Sequence, residues 1–152
     1  MRRLFTVLIA IFLFSSVEAQ PELDALYKKL ENAKTDEEKC DLLNEIALFT
    51  INIDPDQSLN YAKQAKDLSG KINYKKGLGF AYYNFGNVNY YLDEYEVGIK
   101  NLNEARKYFE EINDVEGLGY VSNTTGEIRT LEGKYEDALS ALFEGLDFFE
   151  KL

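Results

Sequence analysis

The sequence predicts an all-α chain that folds as a superhelical stack of about three antiparallel helix pairs. A set of landmarks recurs forty residues apart, only two prolines, Pro21 and Pro55, interrupt 152 residues, and helix start signals alternate regularly along the chain. The recurring landmarks are Gly77, Gly79, Gly86 and Tyr95, which return as Gly117, Gly119, Gly126 and Tyr135. A register kept over forty residues without a gap indicates an internal repeat.

The first nineteen residues have the pattern of a cleavable export signal. Arg2 and Arg3 precede an apolar run over residues 4–14, and Ala19 stands where a signal peptidase cuts. The run is shorter than the ~20 residues that span a bilayer comfortably. We therefore expect an exported protein, periplasmic or secreted, with an uncleaved membrane anchor that leaves the repeats outside the cytoplasm, or a buried helix, as the alternatives.

Net charge limits the classes of partner that the protein can bind, and cysteine content limits its disulfide chemistry. The net charge is -10, and loss of residues 1–19 would remove Arg2, Arg3 and Glu18 and make it -11. Such an acidic surface argues against nucleic acid and anionic membrane as main partners. The single Cys40 cannot form an internal disulfide, so it is either a small buried residue or an intermolecular or reactive thiol.

Helix signals divide the chain after residue 19 into four segments. Residues 20–35 form a short helix and linker, with apolar residues at helical spacing. Three units follow, over residues 36–72, 73–112 and 113–152. Their predicted start signals are Thr35 with Glu38, Asp54 followed by Pro55, Asp93 with Glu96, and Asn113 with Glu116.

Small residues recur where paired helices must approach closely. The forty-residue register aligns Ser58, Gly98 and Ala138, and also Ala65, Ala105 and Gly145. Because Gly in a helix interior costs about 1 kcal/mol relative to Ala, its recurrence indicates a packing role. We expect Gly86 and Gly126 to be contact points inside each pair, and Tyr95 and Tyr135 to be aromatic plugs at the start of each second helix.

This pattern resembles the tetratricopeptide repeat (TPR). The family places a bulky residue and Gly in the first helix, an aromatic nine positions later, and small residues three and ten positions after that. The matching residues are Phe85, Gly86, Tyr95, Gly98 and Ala105 in the middle unit, and Gly126, Tyr135, Ala138 and Gly145 in the third. Asn89 and Arg129 stand where the family prefers Tyr, Thr125 replaces the bulky residue, and the period is forty rather than 34. HEAT-like repeats, whose period is also near forty, are the alternative.

The residues needed for catalysis are mostly missing. The chain has no His, which removes the commonest general base and the commonest metal ligand, and leaves Cys40 without an activating imidazole. It has no phosphate-binding loop of the glycine-rich type that ends in Lys-Ser or Lys-Thr. Acidic pairs such as Glu37-Glu38 are explained by helix starts and solvated faces. We expect a protein that is not an enzyme and binds no cofactor and no metal.

The resemblance to TPR proteins implies a concave groove lined by the first helix of each pair. The groove positions are Phe80, Tyr83, Asn87, Tyr90, Tyr91, Tyr120, Asn123, Glu127, Thr130 and Leu131. Aromatic rings among amides suit a peptide segment of another protein, although Phe80, Tyr91 and Tyr120 could instead pack between pairs. The chain is thus predicted to be an exported binding scaffold. It also resembles the N-terminal sensory regions of certain bacterial histidine kinases and nucleotide cyclases, which would make it part of a longer signalling enzyme.

The last predicted helix carries an apolar stripe. Leu142, Leu146 and Phe149 lie at helical spacing, and a repeat stack buries each pair against the next. We therefore expect self-association through the C-terminal helix pair, or a further repeat in a longer protein.

Processing of the export signal gives a first prediction. Cleavage after Ala19 should leave a mature chain that begins at Gln20. The intact mass of protein recovered after export measures this directly. A recovered chain that still contains the apolar run would mean an anchor.

Overall fold

The computed structural model describes residues 21–152, which contain seven helices and no strand. The helices are α1 (residues 21–32), α2 (Asp36–Thr50), α3 (Pro55–Lys71), α4 (Lys75–Tyr91), α5 (Tyr95–Ile112), α6 (Val115–Leu131) and α7 (Tyr135–Glu150). The predicted all-α fold is confirmed. The proposed export signal lies outside the described residues.

The helices form two layers. Each pair packs closely, α2 on α3, α4 on α5 and α6 on α7, and successive pairs join through α3 with α4 and α5 with α6. The first helices α2, α4 and α6 also touch one another in order, whereas the second helices α3, α5 and α7 do not approach within 8 Å between Cα atoms. The stack therefore curves with its first helices on the inner, concave side.

Four residues with positive φ, twenty residues apart, make the tight turns between helices. They are Asn73 (56°), Asp93 (61°), Asn113 (54°) and Gly133 (74°). After each, a backbone N–H reaches the carbonyl five residues back, as Asp114 N does to Phe109 O at 2.9 Å. The left-handed conformation therefore ends one helix and lets the next begin at once.

These turns correct two of the predicted start signals. Asp93 and Asn113 do not cap the helices that follow them, because they occupy the left-handed turn positions. Asp114 caps α6 instead, accepting from Gly117 N at 2.9 Å, and Glu94, at the N-cap position of α5, makes no side-chain capping bond. Thr35 and Asp54 cap α2 and α3 as predicted.

Inside each pair, the two backbones meet at the recurring small residues. A Cβ atom on Gly86 would lie 2.8 Å from the Leu102 side chain, and one on Gly98 would lie 3.2 Å from Gly86 O. Gly126 meets Leu142 and the carbonyl of Ala138 in the same way. The predicted role of Gly86 and Gly126 as contact points within the pairs is confirmed.

Between pairs, the Phe109 ring is clasped by two glycines. The ring is fully buried, and a Cβ on either Gly79 of α4 or Gly117 of α6 would come within 2.6 Å of it. One period earlier Ser69 lies against Gly77, and one period later Phe149 lies against Gly119. In each Gly-Leu-Gly segment, the first glycine therefore contacts the end of the preceding second helix. The second glycine contacts the end of the second helix of its own pair.

The helix α1 holds the second-helix position of an incomplete pair. α1 ends at residue 32 and α3 ends at Lys71, so the distance between the two ends is within one residue of the forty-residue period. The sequence analysis did not detect this register. Its Leu23 and Leu26 are buried against Leu42 and Ile46 of α2. The helix therefore covers the start of the stack.

The outer side of α7 differs from the sequence prediction. Leu142 is not part of an exposed stripe, because its side chain packs onto Gly126. The exposed apolar residues are Leu139, Phe143, Leu146 and Phe149, which we call the α7 face, together with Tyr135 and Leu152. Tyr135 is 67% exposed although its counterpart Tyr95 packs against the core, so only Tyr95 acts as a plug.

A charged network ties three helices together. The Arg106 guanidinium of α5 donates to both oxygens of the Glu144 carboxylate of α7, at 3.0 and 2.7 Å, and to the Ser122 hydroxyl of α6 at 2.8 Å. Ser122 in turn donates to Glu144 at 2.8 Å. The hydrogen bonds from Arg106 hold the pKa of Glu144 below its ordinary value.

The glycine clasp predicts opposite effects for two Gly→Ala substitutions. G117A should destabilise the fold, because overpacking against the immobile Phe109 ring costs about 1–3 kcal/mol and outweighs the helix propensity gained. G70A, at a helical glycine with open space around its Cβ position, should instead stabilise by up to about 1 kcal/mol. Urea unfolding of the two variants measures both; equal effects would argue against the clasp.

The Arg106 network predicts a pH-dependent contribution to stability. Because the pKa of Glu144 is lowered in the folded state, its contribution is complete above the ordinary value of 4.5 and is lost as the pH falls through the lowered value. E144Q should therefore cost about 0.5–1 kcal/mol at pH 7, reduced by partial exposure, and nothing at low pH. E104Q, which removes the exposed pair with Lys107, is the control and should show little loss at either pH.

Candidate functional site

The predicted groove residues lie on α4 and α6, in the inner layer of the stack. Three side-chain contacts join the two helices, each between residues 37 apart. The rings of Tyr83 and Tyr120 are 5.9 Å apart between centroids, Thr124 Oγ1 donates to Asn87 Oδ1 at 3.3 Å, and the Glu127 carboxylate lies beside the Tyr90 hydroxyl. The two helices therefore present one continuous surface.

On α4, most of the predicted residues are committed to packing. Tyr83 is only 8% exposed, and the Phe80 ring lies edge-on to Phe109 with 5.0 Å between centroids. Asn87 donates to the Tyr83 carbonyl at 3.0 Å and accepts from Thr124, which leaves little of its amide free. Tyr90 is half-buried and Tyr91 is exposed, so α4 offers mainly the two tyrosines at its C-terminal end.

On α6, an exposed row of polar residues follows one face of the helix. We call Glu116, Tyr120, Asn123 and Glu127 the α6 row; they lie at helical spacings of four, three and four. Tyr120 donates to Glu116 at 3.0 Å, and Asn123 donates to Glu127 at 2.8 Å. The row thus carries two carboxylates whose remaining acceptor sites face solvent.

Beside the row, Tyr120 links the surface to the α7 face. Its ring lies 5.5 Å from that of Phe149, measured between centroids, and its exposed fraction is 37%. Thr130 contributes less, because its hydroxyl donates to the Gly126 carbonyl at 2.8 Å. Leu131 is 56% exposed at the end of α6.

Electrostatics make this surface an acceptor of positive charge. The hydrogen bond to Glu116, followed by burial, raises the pKa of Tyr120, and burial followed by the Glu127 charge raises the pKa of Tyr90. Both phenols therefore stay neutral near pH 7. Glu116 was absent from the predicted groove set, although its i, i+4 spacing to Tyr120 was a usable signal.

The described residues offer no arrangement typical of catalysis. Cys40 is fully buried, and burial raises the pKa of its thiol, as expected of a core residue rather than a reactive one. Within residues 21–152, no three His, Cys, Asp or Glu side chains are grouped so that they could hold a metal ion. In the same range, no helix combines the length and the apolar character needed to cross a bilayer.

Comparison with protein-family models and with curated protein sequences finds no match to this chain.

Proposed function

We propose that the protein is an exported, non-catalytic scaffold of the TPR type that binds a peptide segment of another protein along its inner face. The observation that carries the proposal is the joined surface of α4 and α6, where the α6 row lies open next to Tyr90 and Tyr91. The forty-residue register of glycines and small residues supports the assignment to the TPR type. The basic start and apolar run of residues 1–14 support export.

From the chemistry of the α4–α6 surface we infer the kind of peptide that it binds. Glu116 and Glu127 accept hydrogen bonds, and the rings of Tyr90 and Tyr120 offer flat apolar area at low entropic cost. A Lys or Arg side chain can use both, pairing with a carboxylate while its aliphatic stem or guanidinium lies on a ring. We therefore propose a segment with basic residues spaced by apolar ones.

The peptide hypothesis is tested by selection from a displayed library of random peptides of ~12 residues. The selected sequences should be rich in Lys or Arg next to apolar residues. Y120A and E127Q should each weaken a selected peptide by about 1–2 kcal/mol, as expected of residues central to an interface. Both side chains are exposed, so the far-ultraviolet circular dichroism should not change.

Leu48 provides the matched control. It is a similarly exposed side chain on α2, remote from the α6 row, and L48A should bind like the unaltered chain. Selected peptides that bind Y120A and E127Q as tightly as the unaltered chain would refute this location for the site.

A further inference from the structure

Three of the four residues of the α7 face repeat positions that are covered elsewhere in the molecule, whereas the counterpart of Phe143, Asn103 of α5, is exposed. One period earlier, the same register positions of α5 include Arg106 and Phe109, which contact α6, and Ile99, which packs against the core cluster shared by α4, α5 and α6. On α7 the corresponding residues, Leu139, Leu146 and Phe149, are 56%, 51% and 37% exposed, and no described helix covers them. The α5–α6 interface therefore shows how a helix would lie on α7.

The geometry of that interface fixes the pattern of the incoming helix. Gly117 seats the ring at the C-terminal end of α5, and Ile128, eleven residues later, reaches Gly98 near the start of α5. The two helices are thus antiparallel, with a small residue at the N-terminal end of the covering helix. Apolar side chains follow at the first, fourth and eleventh positions after it, as Leu118, Val121 and Ile128.

The ring of Phe149 on α7 is covered by a glycine on one side only. Its ring already packs on Gly119 of its own pair, as Phe109 packs on Gly79. The opposite side of Phe109 is closed by Gly117, and no described residue takes that place for Phe149. A small residue on the incoming helix would complete the clasp.

Charge argues against a second copy of this chain as the occupant. One edge of the α7 face is acidic. It runs along Phe143 and carries Glu136, Asp147 and Glu150, which lie on the same side of the helix as that ring. Two-fold pairing of α7 with itself would bring these carboxylates from both copies to one seam. Head-to-tail stacking would need the second-helix position in front of α2, which α1 already occupies through Leu23 and Leu26.

We propose that the α7 face binds a basic amphipathic helix of a different polypeptide, with a small residue opposite Phe149 and apolar residues in the pattern of α6. Binding would continue the α5–α6 packing by one helix. Lys or Arg at the edge of the incoming helix would meet Glu136, Asp147 and Glu150. This surface adjoins the inner face proposed to bind extended peptides at the Tyr120–Phe149 contact, and it does not include Glu127.

Two peptides from the chain itself serve as matched probes. Residues 73–92 contain Gly77, the apolar pattern, Lys75 and Lys76, and no acidic residue; residues 113–132 contain Gly117 and the same pattern with four acidic residues and one Arg. Labelled peptides are titrated with the 152-residue chain by fluorescence anisotropy. The basic peptide should bind at least tenfold more tightly than the acidic one, and the difference should shrink in high salt.

Variants on both sides locate the contact. L146K in the chain and G77L in the basic peptide should each weaken binding at least tenfold, whereas L48K, at an exposed Leu on α2, should have no effect. E127Q should also leave this binding unchanged, which separates it from the peptide site of the inner face. Circular dichroism confirms that L146K, at an exposed position, stays folded.

Three results would overturn the proposal. One is that the basic peptide does not bind, and another is that it binds equally to L146K. The third is that the unaltered chain sediments as a dimer which L146K dissociates, because a second copy would then be the occupant of the α7 face.

Discussion

The stack depends on the close approach of helices at positions without a side chain. Phe109 can be fully buried only because Gly79 and Gly117 leave room for the two flat sides of its ring. A Cβ on either glycine would collide with a ring that has nowhere to move, since the opposite glycine already confines it. The clasp thus fixes the distance between the second and third pairs, and the Gly86–Gly98 contact fixes the distance within the second pair. Everything that the inner face presents is positioned by these two spacings.

Buried polar groups then fix the order of the first helices. Asn84 of α4 donates to the Asn44 carbonyl of α2 at 2.9 Å, and Asn44 donates to the Gly77 carbonyl at 3.0 Å. One period later, Thr124 of α6 bonds to Asn87 of α4. A shift of one helix along another would leave these buried groups without partners, at a cost of about 1–3 kcal/mol each. The glycines set how close the helices lie, and the polar contacts set their register.

Most of the fold could be predicted from the sequence because the repeat units can be aligned with one another without gaps. Gly86 and Gly126 indicated where the helices of a pair meet, and Thr35 and Asp54 indicated helix starts. The turns at Asp93 and Asn113 were mistaken for caps because Asp and Asn favour both the N-cap and the left-handed conformation, and only the backbone decides between them. On the candidate site, spacing placed Phe80 and Tyr83 on the correct helix. It could not show that the Phe80 ring turns toward Phe109 and the Tyr83 ring toward Tyr120. Leu142 was misplaced for the same reason: a residue between two faces packs wherever a glycine, here Gly126, leaves space.

The two ends of the stack differ, because one is covered and the other exposes apolar side chains. At α2, the apolar seam toward Leu42 and Ile46 is covered by α1, while the neighbouring positions that contact a preceding pair in α4 carry Asp41 and Glu45. Both residues are exposed, and Asp41 also accepts from the Tyr74 hydroxyl at 3.0 Å. Carboxylates at these positions discourage another helix from packing there, as charged edges do on sheets. At α7 the corresponding outward positions carry Leu139, Leu146 and Phe149. Each such side chain gains about 1.5–3 kcal/mol on full burial, so this side favours a covering helix where α2 resists one. The two ends therefore differ in what can bind them: α1 and the charges of Asp41 and Glu45 oppose a further helix at α2, whereas α7 exposes an apolar face whose acidic edge favours a basic partner.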